Sequence, residues 1–476
     1  MNPRSYFSVL LLAVSLNVSY GAGVTIITHG LNSDADDWVL AMAQRLPLHP
    51  SFPGTNFSCF EVTVAPNFTL SANRIGGLSP FTTDSGEIII KLDWGQLANN
   101  DFSTYQVATA VLPALLQTNF IPGLLAHALA EFPLHLVGHS RGGSLVCELS
   151  RLLGTNGIWV DHLTTLDPHP LNNDGFNDAP LYTVVDASAR TYENVLFHDN
   201  YFQIIDFFIY GESVRGAYVR QLTSLSGGYG GIGGAHSDVH LWYHATLDWR
   251  TPASDSVSSV TATERQAWWT AAERRGTNAG FYLGLIGGAN RLSAARDGFN
   301  QRWDLGAGTS NNREPLGAIS TTWPNIVRLH LAGTNLTYYY QGPAATIMFG
   351  YDPDSNPINA NEQIFAQAPV PATGANNVLS NSIGIRINGP SRIFAHAVTA
   401  DRGRFLYLPP MPRLNITRTN AIVLARIGET IAMQTSTDLT TWIPLATNTL
   451  TDTSWRIPIV PAGNRFYRAA SIGTSP

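Results

Sequence analysis

The chain has 476 residues, only 13% of them charged, and a formal net charge of −6. That length asks for two or three domains, and with no Lys/Arg run or basic stripe nucleic acid is not an expected partner. Glycine (42 residues) and proline (28) are plentiful but scattered, as in a globular chain rich in turns rather than a disordered one.

Residues 1–22 read as a secretory signal peptide. Arg4 supplies the positive start, residues 6–18 are apolar, and the small residues Ser19, Gly21 and Ala22 follow, with cleavage expected near Gly21 or Ala22. The apolar run is short for a bilayer span, so a retained anchor is the second reading. The mature chain is therefore expected to be soluble and secreted or extracytoplasmic. Cys59 and Cys147 are the only cysteines, which excludes a disulfide framework and permits one bridge at most. Two structural thiols are the favoured reading.

From residue 23 the chain alternates apolar strand segments with helical stretches. Strands are expected at 24–27, 87–92, 134–137, 163–166 and 194–197, and helices at 36–46 and 105–116. This alternation predicts an α/β domain with a mostly parallel sheet. The strand at 134–137 runs directly into Gly138-His139-Ser140-Arg141-Gly142, and a helix follows. A G-x-S-x-G string between strand and helix is the pattern of a nucleophile elbow, with Ser140 at its apex. Its glycines make room for a strained serine, and the helix directs its positive end at the site. The competing reading is an ordinary tight turn.

Three other segments complete a candidate constellation. Thr28-His29-Gly30-Leu31 ends the first strand, where the N–H of Leu31 is expected to join that of Arg141 in holding an oxyanion. Leu166-Asp167-Pro168 follows the strand after the elbow helix. Gly234-Ala235-His236-Ser237-Asp238 lies in an expected glycine-rich loop. Asp167 is preferred as the acid over Asp199, and His236 as the base over His240 and His244. His29 and His139 are read as shaping residues. The apolar stretch 200–210 is read as an acyl pocket, a lid or a core-facing segment. Thr261 and Glu264 form a capping box that opens a helix expected to run to Arg274, with Trp268 and Trp269 as anchors.

After about Trp323 the texture changes to short strands separated by Gly, Pro and Asn turns. One or two β-sandwich modules are expected, at 323–408 and 413–476, with 409–412 as a linker and 23–322 as a separable catalytic domain. The string Asp352-Pro353-Asp354-Ser355-Asn356 lacks the glycine and terminal glutamate of an EF-hand loop and reads as a turn. No metal or cofactor is expected.

At these residues the sequence resembles the α/β-hydrolase superfamily, and within it the pancreatic-lipase-like and phospholipase A1-like enzymes. The pieces are Thr28-His29-Gly30, Lys91-Leu92-Asp93-Trp94, Gly138-His139-Ser140-x-Gly142, Leu166-Asp167-Pro168 and His236-Ser237-Asp238. The family's multiple disulfides are absent, and the stretch between Asp167 and His236 has its own sequence. The resemblance implies an α/β-hydrolase fold and Ser140, Asp167 and His236 as a catalytic triad, acting on a small-molecule or lipid ester. The stretch from about Ile326 to Leu408 resembles an immunoglobulin-type adhesion module. The tail (434–442 and 465–468) resembles a small β-module found at the ends of secreted bacterial proteins. These modules are expected to serve attachment to a surface or an insoluble substrate. Two other readings stay open: a non-catalytic surface or adhesion protein that keeps the fold, and a hydrolase of amides, thioesters or polymeric esters.

Overall fold

A computed structural model describes residues 23–48, 57–77, 87–124, 127–206, 208–247, 254–269, 280–283, 313–317, 320–332, 335–352, 362–374, 377–385, 392–408, 413–416, 420–424, 429–437, 441–449, 454–459 and 466–474. The expected signal peptide, the linker 409–412, and Pro353 to Asn356 lie outside them.

The first half is built on an eight-stranded sheet. Its strands are β1 (Val24–Thr28), β2 (Phe57–Val64), β3 (Leu70–Gly77), β4 (Glu87–Asp93), β5 (Leu134–His139), β6 (Val160–Leu166), β7 (Val195–Gln203) and β8 (Tyr218–Leu222). They lie in the order β3-β2-β4-β1-β5-β6-β7-β8, and every neighbouring pair is parallel except β2–β3. Strands β1, β5 and β6 are buried along their whole length, as parallel strands are when helices cover both faces. Alternation along β4 sorts its residues between two cores. Ile88, Ile90 and Leu92 enter one, with Leu145, Val146 and Leu149, while Ile89 enters the other, with Trp38, Trp242 and Tyr243. Helices α3 (Thr104–Leu116) and α4 (Arg141–Thr155) belong to the first face, and α1 (Trp38–Arg45) and α5 (Gly234–Ala245) to the second. A single turn, α2 (Gly95–Ala98), follows β4.

Lys91 is buried on β4, and its ammonium ends between two carboxylates nearer the surface, the exposed Asp36 and the half-buried Glu61, the latter at 3.1 Å. Burial pulls its pKa down, but the two carboxylates outweigh burial and the net shift is upward. The capping box at Thr261 is present and opens α6 (Ala262–Trp268). This helix ends earlier than expected, because Trp269 is extended at φ −123° and ψ 143°; residues 270–274 lie outside the described ones. Both tryptophans anchor it: Trp269 stacks on Trp242, and the Trp268 indole N–H donates to the Ser226 carbonyl.

The second half is antiparallel. Strands β9 (Asn325–Ala332), β10 (Asn335–Gln341) and β13 (Leu379–Gly384) form one sheet. Strands β11 (Ala345–Asp352), β12 (Gln363–Val370), β14 (Arg392–Val398) and β15 (Gly403–Tyr407) form a second, and the two sheets enclose a shared core. A smaller pair of three-stranded sheets follows: β16 (Arg413–Ile416), β17 (Asn420–Leu424) and β20 (Ser454–Pro458) in one, β18 (Glu429–Ser436), β19 (Ile443–Thr449) and β21 (Phe466–Thr474) in the other. It has its own core around Val423, Ile431 and Met433. These sheets have the form of small β-modules.

Residues on the two sides of the expected boundary near Trp323 pack against each other. Arg404, on β15, is buried against the α/β domain. Its guanidinium donates to the carbonyls of Ala130, Phe132 and Trp159, and to Asp161 at 3.3 Å. Phe405 stacks on Phe132 with centroids 5.6 Å apart, and Phe394, Phe405 and Trp323 share the core of the first face. Sequence texture marks where helices stop, but it carries no sign of a side chain reaching across the boundary.

Arg404→Met should therefore cost about 3–5 kcal/mol, the penalty of leaving Asp161 buried and uncompensated. Chemical denaturation measures it. A chain ending at Thr322 should aggregate; if it stayed soluble and unfolded cooperatively, the shared core would not be essential.

Candidate active site

Strand β5 runs into helix α4 through Ser140, which holds φ 56° and ψ −127°, a region costly for a residue with a β-carbon. The turn closes only because its flanks are glycine. A β-carbon on Gly138 would lie 2.1 Å from the Gly142 carbonyl oxygen, and one on Gly142 would lie 2.4 Å from that of His29. The Ser140 N–H donates to the Leu166 carbonyl at 3.0 Å, and the Ser140 carbonyl accepts the His169 N–H at 3.2 Å. The serine is thus tied to both sides of the next strand's turn, where Asp167 sits at φ 44°.

Asp167 and His236 are brought together. His236 Nδ1 lies 2.6 Å from Asp167 Oδ2, and because the carboxylate accepts, Nδ1 carries the proton and the neutral ring keeps its lone pair on Nε2. Asp167 is fully buried, while His236 and Ser140 retain slight exposure. His236 is not in a loop, as the glycines of its segment imply. It stands in the first turn of α5, whose N-cap, Gly233, adopts the left-handed conformation at φ 80°. His139, next to the serine, joins the two elements: its Nε2–H donates to the His236 carbonyl at 2.9 Å, with ring centroids 4.5 Å apart. Burial first, then the rings of His236 and His240, hold His139 well below the ordinary imidazole range.

The loop after β1 reaches the same point. A β-carbon on Gly30 would lie 2.5 Å from Ser140 Cβ, 2.9 Å from its Oγ and 3.0 Å from the Arg141 nitrogen, so only glycine lets this backbone come so close. Leu31 follows, half-buried. The Trp94 indole N–H holds the loop from outside by donating to the His29 carbonyl at 3.1 Å.

Asp199 and the other histidines have different partners. Asp199 is fully buried on β7 and accepts from His162 Nε2 at 2.8 Å, Thr164 Oγ1 at 2.6 Å and the Tyr201 hydroxyl at 2.9 Å. Burial, only partly offset by the Thr164 hydroxyl, the nearby His135 and the Tyr201 hydroxyl, pushes its carboxyl up to about 7. His240 stacks on Trp38 at 4.4 Å and is held well below the imidazole range by burial. Burial likewise brings His244 down to about 4.

The stretch 200–210 divides in two. Asn200, Tyr201 and Gln203 are buried at the end of β7, whereas Ile204, Ile205, Phe208 and Tyr210 turn outward, Phe208 to 64% exposure. Cys59 and Cys147 are unbridged and buried, and burial pushes their thiols up to about 11 and about 12. Among the described residues no group of three His, Cys, Asp or Glu is placed to hold a metal ion. Asp352, from the metal-like string, accepts the Tyr407 hydroxyl at 2.6 Å. No described helix is long and apolar enough to cross a membrane.

Two residues at the site carry no sequence signal. Asp186 receives the fully buried Arg141 guanidinium through two bonds, at 2.7 and 2.8 Å, and accepts the N–H groups of Thr104 and Leu171. Gln203 bonds both oxygens of Asp167. Asp186 lies in a stretch of no regular structure and Gln203 ends a strand, so neither falls in a motif.

A mostly parallel sheet covered on both faces, with a strained serine where the strand next to β1 becomes a helix, is an α/β-hydrolase fold followed by small antiparallel β-modules. No family model matches the chain, and no curated protein matches it. Among solved structures, it is similar to a gene product of Listeria innocua at 17% identity, covering 39% of this chain and 71% of that one, with a TM-score of 0.26. It is also similar to a candidate cell surface hydrolase of Lactobacillus plantarum at 13% identity (52% and 98% covered, TM-score 0.30). A third is the BSP domain of a biofilm-associated protein at 18% identity (32% and 27% covered, TM-score 0.13). Likeness at these scores adds nothing to what the strand order itself shows.

Asp199 yields a test of stability. Its folded carboxyl releases its proton near pH 7, against an ordinary value of 3.8. The folded state thus binds this proton more tightly than the unfolded chain, and the stability it contributes is full below about pH 4 and lost as pH rises through about 7. Asp199→Asn should flatten the dependence of melting temperature on pH across that window. A slope identical to that of the unchanged protein would show that Asp199 does not titrate there.

Proposed function

We propose that this protein is a serine hydrolase of carboxylic esters, lipase-like, working through Ser140, His236 and Asp167. The observation that carries the reading is the 2.6 Å bond from His236 Nδ1 to a fully buried Asp167, in a site whose serine is held strained at the elbow. In the reaction the Ser140 oxygen bonds to the acyl carbon while His236 Nε2 takes its proton. Asp167 holds the imidazole tautomer and stabilises the imidazolium that forms. The N–H groups of Arg141 and Leu31 receive the negative oxygen. His236 returns the proton to the leaving alkoxide, which departs as an alcohol, and water activated by the same histidine releases the acid and restores the serine. The exposed apolar side chains after β7 favour an acyl chain or lipid over a polar substrate.

The same reading takes residues 1–22 as a cleaved signal peptide, so that the enzyme works outside the cytoplasm. It takes 323–408 as an immunoglobulin-like module and 413–476 as a small attachment module, linked modules that raise the effective concentration of enzyme at a surface.

Ser140→Ala should leave the melting curve intact, lower turnover of p-nitrophenyl esters by roughly a millionfold and abolish fluorophosphonate labelling. Activity that survives this change would remove Ser140 from the mechanism. Asp167→Asn should cost about 10⁴ in kcat and Asp199→Asn far less. His236→Ala should likewise cost much more than His240→Ala. A reversed order in either pair would move the role to the other residue.

A further inference from the structure

We propose that Gln203 is a positioning residue for the acid–base pair, and that it couples the conformation of the apolar rim formed by residues 204–206 and 208–210 to that pair. The inference rests on the reading of Asp167 and His236 given above. Gln203 is fully buried at the end of β7, and each capacity of its amide is used. Nε2 donates to Asp167 Oδ2 at 2.9 Å and to the Ile209 carbonyl at 3.0 Å. Oε1 accepts the N–H groups of Ile205 at 2.6 Å and Asp206 at 2.8 Å. The Gln203 main-chain N–H takes the other carboxylate oxygen, Oδ1, at 2.8 Å. One residue therefore fixes both oxygens of Asp167 and both ends of the rim.

The connection closes on itself. Asp206 Oδ1 accepts the Phe208 N–H at 2.9 Å, and its Oδ2 accepts the N–H of Gly233, the N-cap of α5. Three residues further along that helix is His236, which returns to Asp167. The loop then comes back against the acid, where a β-carbon on Gly211 would lie 2.4 Å from Asp167 Oδ1. The ring of bonds runs Asp167, Gln203, the rim, Asp206, Gly233, α5, His236 and back. Its outer arc carries Ile204, Ile205 and Phe208, all exposed.

Two effects follow. Donors on Asp167 spread its charge, so removing one leaves the carboxylate to hold the imidazolium form of His236 more strongly. A change in the rim that loosens the Gln203 amide does the same from a distance. The other titratable groups around His236 are His139 on β5, His240 on α5, and His169 after β6, whose ring lies 6.3 Å away and pairs with Asp174. None of them bonds to Gln203, so a substitution there leaves them in place.

The experiment compares Gln203→Met, which keeps the volume and the main-chain bond, with Asp206→Ala, which releases the latch to Gly233 without touching Gln203. Each is read by the pH profile of kcat/KM on a p-nitrophenyl ester and by the melting curve. In Gln203→Met the acid limb should move up by about half to one pH unit, with kcat falling about tenfold and KM changing little. Asp206→Ala should shift the limb the same way by less. Superimposable pH profiles, with activity falling only in step with the folded fraction, would overturn the positioning role. An unmoved limb in Asp206→Ala would overturn the coupling even if Gln203→Met failed to fold. Fluorophosphonate labelling of Ser140 in the unchanged protein separates the two ideas: its absence sinks the hydrolase reading, whereas labelling with unmoved limbs sinks the inference alone.

Discussion

The arrangement around Ser140 depends on a buried ion pair between Arg141 and Asp186. Arg141 follows the serine, and its side chain runs away from the site into the protein. There it meets Asp186 and the carbonyls of Ala98 and Phe102, beneath the ring of Trp94. Asp186 gathers the start of α3 through Thr104 and the turn after β6 through Leu171. Elements that meet nowhere else in sequence are thus fixed to the residue whose N–H would receive an oxyanion. A buried ion pair is a poor source of net stability, since its desolvation offsets most of its attraction. What it supplies is a single geometry: a guanidinium fork and two main-chain donors fit this carboxylate in one way only.

Around that node the site is a set of nested supports rather than three side chains. His139 fastens α5, the helix of His236, to the elbow, Gln203 fastens Asp167, and Trp94 fastens the loop of Gly30. Gln203 ends β7 and Trp94 follows β4, strands next in the sheet to those that lead into the groups they hold, and His139 is the residue before the serine. Errors of position at the reacting atoms are therefore limited by short lever arms.

Much of this could be read from the sequence, and the exceptions have physical causes. The strands β1, β4 and β5 carry apolar runs because helices bury both faces, and that leaves a plain signal. The elbow is equally plain, since its glycines are forced by backbone contact. Strands β3 and β8 escaped because they form the sheet's edges, where exposed residues such as Asn73 and Arg74 blur the apolar pattern. The segment of His236 looked like a loop because glycines precede it, yet they serve to turn the chain into α5. Chain order alone admits both Asp167 and Asp199; the preference for Asp167 rests on the family resemblance, which implies an acid just after the strand that follows the elbow helix. That Asp199 binds His162 is a matter of register between β6 and β7, which no local pattern reveals. The reach of Arg404 was invisible for the same reason.

That reach gives the order of synthesis a bearing on when the protein is finished. Asp161 and Arg404 are 243 residues apart. A chain made from its N-terminus exposes the whole central sheet long before the arginine that neutralises Asp161 exists, and before Phe405 arrives to cover Phe132. Through that interval the sheet has an open flank and an unmatched charge, so its last cooperative step is withheld until the first β-module has been made. The core shared by Phe132, Phe394 and Phe405 is therefore complete only once the chain has been made as far as β15.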